Sequence, residues 1–185
     1  MLLVKKNGTM SFPLHYGAGL ILPGSFNPLH EGHEELAWAA NEQTGEEVVF
    51  ELSSANVHKD VITFNTVSER MKQFYGLYDV IITETTTFLD KAMLFPESTF
   101  VVGYDVIHKL FHERDYPSHE AMIDLLRELR SYGIHFMVAG RDIDGHFCTL
   151  ANLVIDDEFQ NMIIPIEASL YHRELSSTKI RNEKR

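Results

Sequence analysis

Cysteine is almost absent from this chain of 185 residues, since Cys148 is the single example. One thiol cannot form an internal disulfide, so the sequence excludes a small fold held by disulfides and favours a reducing compartment. The chain also lacks any run of about 18 apolar residues, the length that a membrane-spanning helix requires. Lys5 and Lys6 are not followed by the apolar stretch of a signal peptide. We therefore expect a cytoplasmic protein without a membrane partner.

Basic residues are scarce as well. The chain has 16 Lys and Arg residues against 27 Asp and Glu residues, which gives a formal net charge of −11. A protein whose main task is to grip DNA or RNA neutralises the backbone phosphates with a basic surface. The acidic balance argues against nucleic acid as the partner, but it is compatible with a local basic pocket for a small anion.

The composition is otherwise that of a globular protein, with 44% hydrophobic and 23% charged residues. A chain of this length suits one domain, so we expect residues 1–185 to form a single unit. Residues 1–18 are mixed in character and can be an added strand, an N-terminal arm or an oligomer contact. A homo-oligomer therefore stays open.

Apolar runs that are typical of buried strands alternate with helical patterns along the chain. Strands are predicted at residues 20–23, 48–52, 80–83, 99–103, 135–139 and 162–166. Helices are predicted at about 34–42, from a cap at Thr66 to Gly76, at 89–95 and at 118–132, whereas residues 142–162 are expected to be irregular with room for one short helix. This alternation predicts an α/β fold in which helices cover both faces of a parallel sheet.

Polar residues follow several of these predicted strands. Because the carboxyl ends of parallel strands meet at one edge of a sheet, we expect these residues to gather there. The residues are His30, His33, Asn56, Lys59, Gly103, Asp105 and Arg141.

Residues 23–33, which read Pro-Gly-Ser-Phe-Asn-Pro-Leu-His-Glu-Gly-His, lead from the first strand into the first helix. Such a loop is suited to phosphate, because backbone N–H groups and the positive end of the helix dipole point at the ligand. Gly24 and Gly32 allow a close approach of the backbone or a positive φ. If the helix opens at Gly32, His30 and His33 can face the same phosphate chain.

Residues 24–33 resemble the first motif of the nucleotidyltransferase superfamily, Gly-(Ser/Thr)-Phe-(Asn/Asp)-Pro-x-His-x-Gly-His. Residues 174–181, Glu-Leu-Ser-Ser-Thr-Lys-Ile-Arg, resemble its second motif, Ile-Ser-Ser-Thr-x-Ile-Arg, with Leu175 in place of the usual Ile. Taken alone, the second segment favours a helix N-cap at Ser176 or Ser177 followed by a basic tail. The likeness extends from about Leu20 to Arg181 and is closest to nicotinamide or nicotinate mononucleotide adenylyltransferases and to a branch of cytidylyltransferase-like proteins.

The resemblance implies a Rossmann-like sheet of five to six strands and the activity of a nucleotidyltransferase. A phosphate oxygen of a small acceptor attacks the α-phosphorus of ATP or another NTP, and pyrophosphate leaves. It implies AMP transfer to nicotinamide or nicotinate mononucleotide, as in NAD biosynthesis, with Mg²⁺ carried by the nucleotide phosphates and no permanent metal site. Cytidylyl transfer, phosphopantetheine adenylyl transfer and a non-catalytic nucleotide sensor are the alternatives. The Ser-Ser-Thr-Lys-Ile-Arg tail favours ATP, because many cytidylyltransferases have Arg-Thr-Glu-Gly-Ile-Ser there.

The resemblance also assigns roles to single residues. Those expected to act in catalysis, by donating hydrogen bonds or positive charge to phosphates, are His30, His33, Lys59 and Arg181. The nucleotide-binding residues are expected to be Gly24, Ser25, Phe26, His30, His33, Gly103, Asp105, Arg141, Ser176, Ser177, Thr178 and Arg181. The acceptor-binding residues are expected to be Asn56, Lys59 and Arg70. Two of these have an ordinary structural alternative, Asp105 as a helix cap and Arg70 as a solvated helix charge.

Overall fold

The computed structural model describes residues 1–54, 63–143 and 146–171, apart from the side chain of Phe64. Within these residues the strands are β1 (Leu2–Val4), β2 (Met10–Ser11), β3 (Leu20–Gly24), β4 (Val48–Ser53), β5 (Val80–Thr83), β6 (Thr99–Gly103), β7 (His135–Ala139), β8 (Arg141–Ile143), β9 (His146–Cys148) and β10 (Ile163–Pro165). The α-helices are α1 (Glu31–Thr44), α2 (Phe64–Met71), α3 (Phe88–Leu94), α4 (Tyr104–Leu110) and α5 (His119–Ser131). None of these helices is long and apolar enough to cross a membrane.

Eight strands form one sheet in the order β10-β7-β6-β3-β4-β5-β1-β2. The six neighbours from β10 to β5 run parallel, which confirms the α/β fold with a parallel sheet of five to six strands. From β3 the chain proceeds outward to β4 and β5, and then returns to form β6 and β7 on the other side of β3. A crevice opens at such a reversal of strand order, outside the carboxyl ends of the strands.

Each face of the sheet carries its own hydrophobic core, because successive side chains of a strand point to opposite faces. Leu20 and Leu22 of β3 pack in the core that contains α1 residues such as Leu36. Ile21, between them, packs in the other core, which contains residues of α3, α4 and α5 such as Leu126. The expected helices on both faces are therefore present.

The N-terminal segment contributes an added strand, the first of the three alternatives that the sequence left open. Strand β1 pairs antiparallel with β5 and, on its other side, with β2. Leu3 accounts for its position, since this side chain is only 8% exposed and belongs to the core on the α3 face.

Besides the start of α1, which lies at Glu31 and not at residue 34, two local predictions are wrong. Helix α2 is capped by Thr63, whose hydroxyl accepts a hydrogen bond from the N–H of Thr66, so the helix begins before the predicted cap. Residues 142–162 are more ordered than expected, because β8 and β9 pair as an antiparallel hairpin outside the main sheet. In both places short-range hydrogen bonds decide the structure. The capping-box spacing of Thr66 and Glu69 did not identify Thr63 as the cap, and residues 142–162 show no apolar period that would report the pairing of β8 and β9.

Candidate functional site

A cavity of about 280 Å³ opens at the carboxyl edge of the sheet beside the end of β3. Its lining joins the loop after β3, the ends of β4 and β6, and the first turns of α1 and α3. The lining residues used below are Gly24, Ser25, His33, Glu51, Thr85 and Lys91. Another cavity, of about 310 Å³, lies between β1 and α2 and is lined mostly by apolar side chains. It contains none of the predicted site residues.

The two histidines of the first motif lie together at the start of α1. The helix begins at Glu31 with His30 as its N-cap residue, so His33 is the third residue of the helix. The two imidazole rings stack, with centroids 3.7 Å apart and an angle of 24° between their planes. Both rings are therefore on the same side of the helix N-terminus, as the three-residue spacing predicts.

His33 is an uncharged hydrogen-bond donor at neutral pH. Burial, together with a smaller effect of the neighbouring His30, lowers its pKa from 6.5 to about 4. Its Nδ1 atom accepts a hydrogen bond from the backbone N–H of His30 at 3.4 Å. The single proton of the neutral ring is consequently on Nε2, which is left to donate to a ligand.

The glycines of the motif are explained by packing of the rings beside them. A Cβ atom on Gly24 would lie 2.7 Å from the ring of Phe26, and one on Gly32 would lie 3.2 Å from the ring of His30. Neither glycine has a positive φ. Of the two predicted reasons for glycine at these positions, only a close approach of another group to the backbone applies, and here that group is a ring of the motif itself.

Phe26 anchors the loop after β3 in the protein interior. Its ring is 1% exposed and meets the rings of Phe50 and Phe74 edge-on, at centroid distances of 5.4 and 5.2 Å. Its φ is +42°, an uncommon value for a residue with a side chain, and the enclosure of the ring holds it there. The predicted role of Phe26 in nucleotide binding is therefore not available to its side chain.

Residues of α2 and the turn after it hold the same loop from outside. Arg70 donates from Nη1 to the carbonyl oxygen of Ser25 at 2.9 Å, and partial burial lowers the pKa of its guanidinium group. Arg70 is thus in contact with the motif and is not merely a solvated helix charge. Gln73 donates to the carbonyl of Phe26 at 3.1 Å and accepts from the N–H of Leu29 at 2.8 Å. No pattern in the sequence indicated Gln73, because an amide side chain in a polar turn belongs to no motif.

Asp105 and Arg141, predicted to bind the nucleotide, meet in an ion pair between Oδ2 and Nη1. The N-cap of α4 is Gly103, without a side-chain hydrogen bond, so Asp105 does not cap this helix. A Cβ atom on Gly103 would meet no described atom within 4 Å, which leaves the backbone there accessible to a ligand. The pair thus joins the ends of β6 and β7 at the same edge of the sheet.

A buried ion pair that was not predicted from the sequence forms one wall of the cavity. Glu51 of β4 is fully buried and Lys91 of α3 is 7% exposed. The ammonium group of Lys91 contacts both carboxylate oxygens of Glu51, at 2.7 and 2.8 Å, and Thr83 donates a further hydrogen bond to this carboxylate. The available signal was a lone acidic residue in the apolar run Val48–Ser53, because a buried carboxylate requires a partner.

Six predicted site residues lie outside the described residues, namely Asn56, Lys59, Ser176, Ser177, Thr178 and Arg181. The described residues that precede these two segments lie near the carboxyl edge of the sheet. Ser54 donates from its N–H to the carbonyl of Thr83 at 2.8 Å, just before the first segment. Tyr171 donates from its hydroxyl to the carbonyl of Gly32 at 3.3 Å, just before the second.

The described residues offer no preformed metal centre. Across the ranges 1–54, 63–143 and 146–171, no group of three or more His, Cys, Asp or Glu residues is gathered as metal ligands. Glu51, which contributes a carboxylate to the cavity wall, already has both oxygens bound by Lys91.

We expect the partial burial of His33 to be visible in the pH dependence of stability. The unfolded chain takes up a proton near pH 6.5, but the folded ring does so only near pH 4. The stability that His33 contributes is therefore fully present above pH 6.5 and is lost as the pH falls towards 4. In His33→Gln the free energy of unfolding should fall less steeply over this interval, by up to about 1.4 kcal/mol per pH unit.

Urea denaturation at a series of pH values measures this difference in slope. His15→Gln is the matched control, since His15 is exposed, and it should follow the wild type. Equal slopes for wild type and His33→Gln would contradict a neutral, partly buried His33.

The amino-acid sequence was also compared with the sequences of known proteins. A search among curated proteins gave no match. A family model described as cytidylyltransferase-like matches residues 21–183. This range includes every predicted site residue and every residue that lines the cavity beside β3. Since the match covers most of the chain and the fold agrees with it, the chain belongs to the cytidylyltransferase-like family of nucleotidyltransferases.

Proposed function

We propose that this nucleotidyltransferase transfers AMP from ATP to the phosphate of a small acceptor, with nicotinamide or nicotinate mononucleotide as the acceptor, and releases pyrophosphate. The observation that carries the proposal is the stacked pair His30 and His33 at the N-terminus of α1. His33 borders the same cavity as Gly24 and Ser25, which end β3 and begin the motif loop. This places a neutral donor, backbone N–H groups and the positive end of a 14-residue helix at one point.

The proposed chemistry is an in-line displacement. An oxygen of the acceptor phosphate forms a bond to the α-phosphorus, the bond from that phosphorus to the bridging oxygen breaks, and the electron pair leaves on pyrophosphate. The protein must hold two anions that repel each other and stabilise charge on the transferred group. His33 suits this task, because its Nε2–H remains a donor at any pH well above its pKa of about 4.

The strand order supports binding of the nucleotide and the acceptor on opposite sides of β3. Gly103, Asp105 and Arg141, expected to bind the nucleotide, follow β6 and β7 on one side. Arg70, expected to bind the acceptor, belongs to the helix that connects β4 and β5 on the other side. With the loop after β3 between them, the α-phosphate is placed where acceptor and leaving group can lie on opposite sides of it.

The segments that carry the remaining predicted residues are attached at suitable points. Residue 176 is five residues beyond Tyr171, so it can reach at most about 17 Å from a side chain that contacts the first turn of α1. Lys59 follows β4 by a similar number of residues. In the proposal Lys59 and Arg181 supply positive charge to the phosphates, while Ser177 and Thr178 supply hydroxyl groups.

Magnesium would be carried by the nucleotide phosphates and water, where it neutralises phosphate charge. The described residues are compatible with this arrangement. The carboxylate on the cavity wall, Glu51, already has both oxygens engaged by Lys91, so the phosphates and water would supply the ligands of the ion.

The expected result of a substrate screen is pyrophosphate release with ATP and a pyridine mononucleotide, in the presence of Mg²⁺. The matched control acceptor is the corresponding nucleoside, which lacks the attacking phosphate and should release none. Calorimetry should show tighter binding of ATP than of CTP. Equal or tighter binding of CTP would reassign the donor, and turnover only with phosphopantetheine would reassign the acceptor. Nucleotide binding without turnover on any phosphorylated acceptor would indicate a sensor.

A further inference from the structure

We infer that the ion pair of Glu51 and Lys91 makes the cavity select an acceptor whose distal group is uncharged, so that nicotinamide mononucleotide is preferred over nicotinate mononucleotide. The inference rests on the proposed function, because it requires the acceptor to occupy the β4 side of the cavity. It adds a substrate preference and the residues that set it.

The pair lies in the same cavity as the motif loop but on a different wall. His33 and Ser25 line the cavity from the α1 side, whereas Lys91 and Thr85 line it from the α3 side. An acceptor whose phosphate is held at the motif loop therefore directs its other end towards the α3 wall. The chemistry of that wall decides which distal groups are accepted.

The cation on this wall is already saturated by the protein. Lys91 donates to the two carboxylate oxygens of Glu51 at 2.7 and 2.8 Å, and to the hydroxyl oxygen of Thr85 at 3.2 Å. An ammonium group has three N–H donors, so these contacts use its full capacity. The positive charge is also balanced, since Glu51 is fully buried directly against it.

A distal carboxylate on the acceptor would be disfavoured at such a wall. It would lose its hydration and approach the carboxylate of Glu51, and it could bind Lys91 only by displacing Glu51 from an optimal contact. A neutral amide avoids this cost. It can exchange hydrogen bonds with the hydroxyl group of Thr86, which both donates and accepts, while the ion pair and its contact with Thr85 stay intact.

Calorimetric titration of the full chain with each mononucleotide at pH 7.5, in the presence of a non-hydrolysable ATP analogue and Mg²⁺, tests the preference. We expect the amide form to bind at least about tenfold more tightly than the acid form, equivalent to about 1.4 kcal/mol. Equal affinities, or tighter binding of the acid, would overturn the inference.

The Glu51→Gln variant tests whether the pair sets the preference. It leaves the charge of Lys91 unbalanced beside the cavity, so the ratio of the two dissociation constants should shift towards the acid by at least about tenfold. Glu47→Gln is the control, because Glu47 is exposed and outside this cavity, and its ratio should equal that of the wild type. An unchanged ratio in a folded Glu51→Gln variant would overturn the inference.

The outcomes separate this inference from the proposed function. If the ATP analogue binds but neither mononucleotide does, the inference is overturned, while nucleotidyl transfer to another acceptor stands. If both mononucleotides are adenylylated with equal kcat/KM, the function stands and the inference fails. If Glu51→Gln does not fold, the wild-type affinities still decide, because the stated preference concerns the wild-type chain.

Discussion

Replacing His33 by alanine is expected to lower kcat by about 10²–10³-fold, the usual effect of losing one preorganised donor to developing charge. Binding of the nucleoside triphosphate should weaken far less, because the helix N-terminus and the loop after β3 remain. The reason is structural: the Nε2–H of His33 is held in place by stacking on His30 and by the hydrogen bond to Nδ1. A donor fixed in this way requires no reorganisation when charge develops on the transferred group.

Steady-state pyrophosphate release gives kcat, and calorimetry gives the affinity for the nucleotide. His33→Gln retains an N–H donor on a side chain of different shape and should recover part of the lost rate. His15→Ala, which changes an exposed histidine outside the lining of the cavity, controls for nonspecific effects. Turnover of His33→Ala at the wild-type rate would rule out the catalytic role assigned to this residue.

Replacing Glu51 by alanine is expected to destabilise the protein by about 3–5 kcal/mol, the range for removing one partner of a buried ion pair. Lys91 would then be a buried cation without its carboxylate. Its ammonium group would keep only its hydrogen bonds to the hydroxyl and carbonyl oxygens of Thr85. The cost comes from the desolvated charge and not from the lost volume alone. Urea denaturation at pH 7.5 measures it.

Two variants separate charge from packing in this experiment. Glu51→Leu combined with Lys91→Met removes both charges and fills a similar volume, so it should recover most of the lost stability. Glu69→Ala breaks an exposed ion pair with Lys72 and should cost less than about 1 kcal/mol. A loss for Glu51→Ala no larger than that for Glu69→Ala would show that Glu51 and Lys91 are not a buried, mutually dependent pair.

The elements that follow local pattern were predicted well from the sequence. Strands β5, β6 and β7 have the predicted bounds, because each is an apolar run enclosed by polar or glycine residues. The start of α1 was misplaced by three residues, since the helix begins within the motif loop at Glu31, before its apolar face starts. The hairpin of β8 and β9 was missed because three-residue strands are too short to show a period.

The residues that surround the cavity were only partly predictable. The two histidines were found because a three-residue spacing at a helix start is a local property of the chain. The partner of Glu51 was not, since Lys91 is 40 positions away and looks like an ordinary helix charge until β4 and α3 are placed side by side. The contact of Arg70 with Ser25, across 45 positions, escaped prediction for the same reason.

By itself, the sequence determined the class of fold, the position of the motif loop after β3 and membership of a nucleotidyltransferase family, because these depend on local periodicity and on motifs of consecutive residues. The tertiary structure alone decided the strand order, and with it which side chains share a wall of the cavity. It also decided the protonation of His33, because a pKa responds to burial and to neighbours that only the folded chain assembles. Contacts between residues that are far apart in the sequence depend on the order of the strands in the sheet. A sequence that alternates strands and helices is compatible with several strand orders, so it does not predict these contacts.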